Sequence, residues 1–173
     1  LTHPFPPTPR PLATHKRQLN ALCALDAERL LVASEDGQLC VRATDTGALI
    51  ATLDEHLGPV NAAQLSPDGE AFVTAGDDQT ARVWDAATLR CLHVLEGHGA
   101  YVRDAAIGER HVLTASEDKG VRLWDRHTGA GSLDITAAVA VFDARRDGFG
   151  ASNAPFRIAA QKRLMRGKGI PKA

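Results

Sequence analysis

The sequence predicts an all-β chain built from repeated four-stranded antiparallel units. Three observations carry that expectation. The segments Ala33–Ala43, Ala75–Asp85 and Ala115–Asp125 align without gaps, with Ser34 placed 42 positions before Gly76 and Gly76 placed 40 before Ser116. Strand-length apolar runs recur between turn residues inside each period. No segment of helical period interrupts them. Self-similarity at a fixed period is read first, because it decides the architecture of the whole chain.

The elements follow in order. Residues 1–14 carry Pro4, Pro6, Pro7, Pro9 and Pro11, and are expected to be an extended linker. A ligand for a proline-binding module is the functional alternative for that composition. The repeats are expected at about 15–53, 54–95 and 96–135. In the second, Val60–Leu65, Ala71–Ala75, Ala81–Trp84 and Cys91–Leu95 read as strands. Ser66-Pro67-Asp68-Gly69 reads as a turn: Pro presets φ, Asp bonds its own backbone, and Gly tolerates positive φ. The shorter turn Gly108-Glu109-Arg110 accounts for the fall in spacing from 42 to 40. Ser132–Ile135 is a candidate outer strand for the third repeat. Residues 136–153 are a candidate opening of a degenerate fourth repeat, and residues 154–173 form a basic tail with six cationic residues and no acid. The tail matches nucleic acid or an acidic membrane in charge. It lacks interleaved aromatics for base stacking, so a solvated tail is the favoured reading.

Four short strands returning every 40–45 residues or so is the pattern of a propeller blade. A ring closes with about 4–8 blades. Three leave the ring unclosed by this chain alone, and the initial Leu1 in place of Met fits a fragment or processed piece. The open radial faces are expected to carry Val83, Val112, Leu113 and Leu123, covered in the native protein by further blades of the same protein or by other copies.

Composition sets further bounds. A formal net charge of -1 favours no charged partner. No apolar stretch approaches the roughly 18–20 residues that span a bilayer, and the N-terminus lacks the apolar core of a signal peptide. Cys23, Cys40 and Cys91 form no CxxC pair, so neither a metal site nor a disulfide framework is expected. Free thiols point to a reducing, cytoplasmic setting. No glycine-rich phosphate loop or kinase motif occurs, and no cofactor is expected.

Trp84-Asp85 and Trp124-Asp125 are recurring dipeptides, Gly97-His98 is a third, and Glu55-His56 keeps the His of it. With their spacing and turn residues, they make residues 15–135 resemble the WD-repeat family of β-propellers. The resemblance implies a buried hydrogen-bonded network in each blade, made here by His56, Thr74, Asp78 and Trp84, and again by His98, Thr114, Asp118 and Trp124. His, Thr and Asp together invite a catalytic-triad reading. An active site is usually built once, however, whereas a structural device repeats with the repeat. The first repeat keeps Asp36 and a candidate His15, but has Val32 and Arg42 at the Thr and Trp positions. Its packing is expected to rest on Leu22, Leu25, Leu31, Val41 and Leu49, and its stability to be the poorest.

The resemblance also implies a non-catalytic protein-interaction scaffold that binds other proteins through one loop face. The implied rim residues are Gln18, Asn20 and Glu35, then Pro59, Asn61 and Asp77, then Tyr101, Arg103 and Glu117. The competing expectation is a C-terminal sensor or targeting arm of a larger enzyme, of kinase or NTPase type, with its catalytic domain outside this sequence.

Overall fold

The structure is a computed structural model that describes residues 12, 15 and 17–132. Among the described residues, twelve strands form three four-stranded antiparallel sheets, each in simple sequence order. The first holds β1 (Leu19–Ala24), β2 (Arg29–Ser34), β3 (Leu39–Ala43) and β4 (Leu49–Leu53). The second holds β5 (Val60–Leu65), β6 (Ala71–Gly76), β7 (Ala81–Asp85) and β8 (Cys91–Leu95). The third holds β9 (Val102–Ile107), β10 (His111–Ser116), β11 (Val121–Asp125) and β12 (Gly131–Ser132). The three sheets are blades of a partial β-propeller, and none curls into a closed barrel. Leu133, Asp134 and Ile135 of the candidate strand Ser132–Ile135, the candidate fourth repeat, the basic tail and the proline-rich segment apart from Leu12 lie outside the described residues.

Alternation along the strands sends residues to two seams. On one side of the second sheet, Phe72 and Trp84 pack with Leu31, Ala33, Leu39 and Val41 of the first. On the other side, Val73, Ala75, Ala81, Val83 and Leu95 pack with Val102, Ala105, Ile107, Val112 and Trp124 of the third. Strand β6 is buried at all six positions, as expected for a strand covered on both faces.

Two packing expectations are corrected here. Val83 and Val112 do not sit on open faces; both are buried in the seam between the second and third sheets. Leu113 pairs with Leu123 on the side of the third sheet away from Trp124, and both are buried. In the first sheet, Leu25, Leu31 and Val41 join the seam core, whereas Leu22 and Leu49 are 64% and 54% exposed. Leu22 pairs with Val32 and so points away from the second sheet, and Leu49 opens the edge strand β4.

The connections repeat as closely as the strands. Gly37, Gln79 and Lys119 occupy equivalent places in the β2–β3, β6–β7 and β10–β11 turns, with φ of 88°, 67° and 70°. Gly47, Leu89 and Gly129 do the same one turn later, with φ of 73°, 61° and 71°. These left-handed conformations strain any residue with a Cβ.

Candidate functional site

Beneath one end of the sheets lies the polar network. Trp is donor-only and a carboxylate is acceptor-only, so the chain of bonds has one direction. The Trp84 indole N–H donates to Thr74 Oγ1 at 2.9 Å. The Thr74 hydroxyl in turn donates to His56 Nε2 at 2.8 Å. His56 Nδ1–H then donates to Asp78 Oδ2 at 2.8 Å. In this order the Nδ1 of His56 carries the proton that Asp78 receives. The third sheet repeats it through Trp124, Thr114, His98 and Asp118, at 2.9, 2.7 and 2.7 Å. Thr74 and Thr114 are fully buried.

The carboxylates at the ends of these chains also hold the loops. Asp78 accepts from the Leu57 N–H at 3.1 Å and from the Thr80 backbone and hydroxyl at 3.1 and 2.8 Å. Asp118 accepts from Gly99 and Gly120 at 3.1 and 2.6 Å. Burial pushes both acids up. For Asp118, the His98 bond and the two backbone donors outweigh it and bring the carboxyl down to about 2. The same balance with His56, Thr80 and Leu57 holds Asp78 well below the usual carboxylate range. In the first sheet Val32 and Arg42 end this chain of donors. Asp36 takes the Ser34 hydroxyl instead, and Arg42 turns to the Gly47 carbonyl at 2.9 Å.

The rim residues sit directly above. In every sheet the residue before the turn Asp donates its backbone N–H to the carbonyl of the residue before the first strand. Glu35 N–H reaches Gln18 O at 2.9 Å, Asp77 N–H reaches Pro59 O at 2.8 Å, and Glu117 N–H reaches Tyr101 O at 3.0 Å. The register of the first strand then slips once per sheet. Leu19 pairs with Ser34 and Ala21 with Ala33; Val60 pairs with Gly76 and Ala62 with Ala75; Val102 pairs with Ser116 and Asp104 with Ala115. The residues skipped are Asn20, Asn61 and Arg103. A bulge re-aims the extra side chain and bends its strand, so each sheet presents one bulged polar residue at the same end.

In the second and third sheets the rim residues are joined. Asn61 Nδ2–H donates to Asp77 Oδ1 at 2.8 Å and to Val102 O at 2.9 Å. Arg103 donates to Asp77 Oδ1 at 2.9 Å and to Glu117 Oε1 at 2.8 Å, and lies 5.1 Å from the centre of the Tyr101 ring. Gln18, Asn20 and Glu35 are exposed in the first sheet, without a comparable link to the other rim residues among the described residues. Leu57, whose backbone Asp78 fixes, is 88% exposed beside them.

Two features lay beyond the sequence reading. The Asp of each Trp-Asp pair caps the next turn: Asp85 accepts from the Thr88 N–H at 2.6 Å and Asp125 from the Thr128 N–H at 2.8 Å. The Asp-x-x-Thr spacing was the available signal. Arg126 is buried and reaches Asp68 in the neighbouring sheet at 2.5 Å. Together with the Ser66 hydroxyl, Arg126 overcomes burial and holds Asp68 at about 2. Nothing local in the sequence pairs residues so far apart. Among the described residues, no group of three or more His, Cys, Asp or Glu side chains is arranged to hold a metal ion, and no helix is long and apolar enough to cross a membrane.

Comparison with known proteins agrees with this architecture. The family model described as WD domain, G-beta repeat matches residues 47–85 and 89–125. Each match begins before the outer strand of one sheet and ends with the third strand of the next. The chain is 40% identical over 79 residues to mitochondrial division protein 1 of Aspergillus oryzae, covering 46% of this chain and 12% of that protein. It is 30% identical over 121 residues to mouse WD repeat-containing protein 37, covering 69% and 24%. It is 27% identical over 127 residues to the DENN domain and WD repeat-containing protein SCD1 of Arabidopsis thaliana, covering 73% and 10%. The chain thus spans a quarter or less of each of these relatives. The crystal structure of the computationally designed Ika4 protein superposes with a TM-score of 0.66 at 26% identity, covering 73% of this chain and 79% of that one. The paired family matches, the repeated Trp-Asp turns and the three in-order sheets place this chain in the WD-repeat family of β-propellers.

Proposed function

We infer that this chain is a non-catalytic protein-interaction scaffold that binds other proteins through its bulged rim. The observation that carries the reading is the same register slip in all three sheets, which puts Asn20, Asn61 and Arg103 at one end of the blades. Interaction residues concentrate where a rigid scaffold presents loops. Tyr101 and Arg103 are the anchors, since Tyr and Arg dominate binding hot spots. Arg103 is already held by two carboxylates and the Tyr101 ring, so little side-chain freedom remains to be lost on binding. Catalysis by the His–Thr–Asp sets is disfavoured by geometry: both Thr hydroxyls are fully buried, and each already accepts from Trp and bonds His.

Selection of binding peptides from a displayed library against the full chain tests this. Tyr101→Ala combined with Arg103→Ala is expected to weaken the selected binders about tenfold or more, or about 1.4 kcal/mol. Arg90→Ala, in the turn at the other end of the second sheet, is the control. Binders indifferent to the rim pair and sensitive to Arg90→Ala would place the face at the wrong end.

The second reading, a sensor or targeting arm of a larger enzyme, is favoured by one observation: the matched relatives are four or more times longer than the region they share with this chain. The flanking reading frame decides it. A kinase or NTPase domain there would make the rim a targeting device. Further blades, from the same protein or from other copies, are the expected neighbours of the first sheet's exposed Leu22 and Ile50. The free thiols of Cys23, Cys40 and Cys91 favour a cytoplasmic setting.

A further inference from the structure

The chain's two tryptophans fall one in each seam: Trp84 between the first and second sheets, Trp124 between the second and third. The seams are chemically unlike. At the rim end of the second seam, Arg103 crosses to Asp77 at 2.9 Å and to Asn61 at 3.3 Å, and Asn61 crosses back to Val102 O at 2.9 Å. Midway, the Ile107 N–H donates to Gln64 Oε1 at 3.3 Å. At the far end, Arg126 crosses to Asp68 at 2.5 Å, with Glu70 at 3.7 Å, while the Gly108 and Glu109 carbonyls of its own sheet accept at 3.3 and 3.2 Å. One cation therefore pins each end of this seam.

The first seam is held differently. Leu25, Leu31, Ala33, Leu39 and Val41 meet Val60, Phe72, Trp84 and Ala86, with Phe72 and Trp84 stacked 5.8 Å apart. No ion pair between described residues joins the first sheet to the second. A Leu65 N–H against the Cys23 thiol is one polar contact there. Apolar contact is non-directional, whereas a guanidinium fork on a carboxylate fixes both distance and angle.

We propose that the second seam is a two-pin ionic latch that holds the second and third sheets as one body, and that the first seam is an apolar joint along which the first sheet shifts. Ionic conditions then act on one seam and spare the other. The Arg103 pin is 45% exposed at its side chain and is the salt-sensitive one; the Arg126 pin, at 5%, is largely shielded.

The two tryptophans make the test direct. The full chain is grown with 5-fluorotryptophan and its two fluorine resonances are assigned with Trp84→Phe. Sodium chloride is raised to about 1 M, where the screening length falls to about 3 Å. The Trp124 line is expected to shift or broaden while the Trp84 line stays. Arg103→Gln together with Arg126→Gln is expected to move the Trp124 line at low salt and remove its further salt response. Both lines moving together, the Trp84 line moving alone, or neither moving would overturn the proposal. The salt titration of the unsubstituted chain decides it even if the double variant does not fold.

Discussion

The Trp124 indole N–H donates to Thr114 Oγ1 at 2.9 Å, and the same hydroxyl lies 2.7 Å from His98 Nε2. Replacing Trp124 by Phe keeps most of the apolar area in the seam and deletes the donor. The expected cost is about 1–3 kcal/mol, the penalty for an under-bonded buried polar group. Arg42→Ala, at the equivalent place in the first sheet, removes a bond to one turn carbonyl and is expected to cost much less. Urea unfolding of the two variants compares them directly, and equal losses would contradict the assignment of roles.

Acid should attack the same network. Asp78 and Asp118 titrate below their unfolded range in the folded chain. Their contribution is therefore present above pH of about 4 and is lost as pH falls toward and below 2. Asp118→Asn removes one of the two titrations and weakens the charge-assisted bond from His98. It should lower stability at neutral pH and flatten the slope of stability against pH below 4. An unchanged slope would rule out Asp118 as a contributor.

Asp104 behaves in the opposite sense. Burial raises its carboxyl, and among the described residues its bonding partner is the adjacent Ala105 N–H. The equivalent positions are Ala21 and Ala62. A raised folded value means that stability is fully present at low pH and declines as pH rises through it. Asp104→Ala is expected to raise the melting temperature at pH 7 and to leave it unchanged near pH 3. A loss at pH 7 would show that the carboxylate has a partner of its own.

The left-handed turn position separates two kinds of glycine. A Cβ on Gly37 would approach the Gly58 carbonyl to 2.9 Å, so Gly37→Ala carries both backbone strain and a clash, about 1–3 kcal/mol. Gln79 already bears the strained φ in the second sheet. Gln79→Gly relieves it and is expected to be neutral or stabilising by up to about 1 kcal/mol. Thermal melts of the pair should shift in opposite directions, or leave the second unmoved.

Leu22 on β1 and Leu49 and Ile50 on β4 are exposed at the two edges of the first sheet. Exposed large apolar side chains promote association. Light scattering on the full chain is expected to show concentration-dependent oligomers, reduced by Leu22→Thr. A stable monomer at all concentrations, with a sharp cooperative melt, would mean that three blades suffice.

The fold was legible because period and alternation are local properties. Val60–Leu65 and Cys91–Leu95 are strands with the bounds the apolar runs indicate, and the Ser66–Gly69 turn closes with a 2.9 Å backbone bond. Which side of a sheet faces a neighbour was less legible. Alternation separates Val83 from Trp84 but does not say that both sides of the second sheet are covered, so the sequence alone points Val83 to an open face. Leu22 and Leu49 carry the hydrophobicity of core residues, and their exposure depends on the direction of one strand and the edge position of another. The bulges at Asn20, Asn61 and Arg103 were invisible, since nothing in residue type marks a register slip that the partner strand creates.

Because each family match runs from the outer strand of one sheet to the third strand of the next, the unit that is copied in sequence is not the unit that folds. Excising residues 47–85 would bring β8 directly after β3, where it can take the place of β4, and every remaining sheet would still have four strands. Duplicating the same stretch would add a sheet already stitched to its predecessor. Such a gene can lengthen or shorten by whole units without ever passing through an ancestor with a broken sheet.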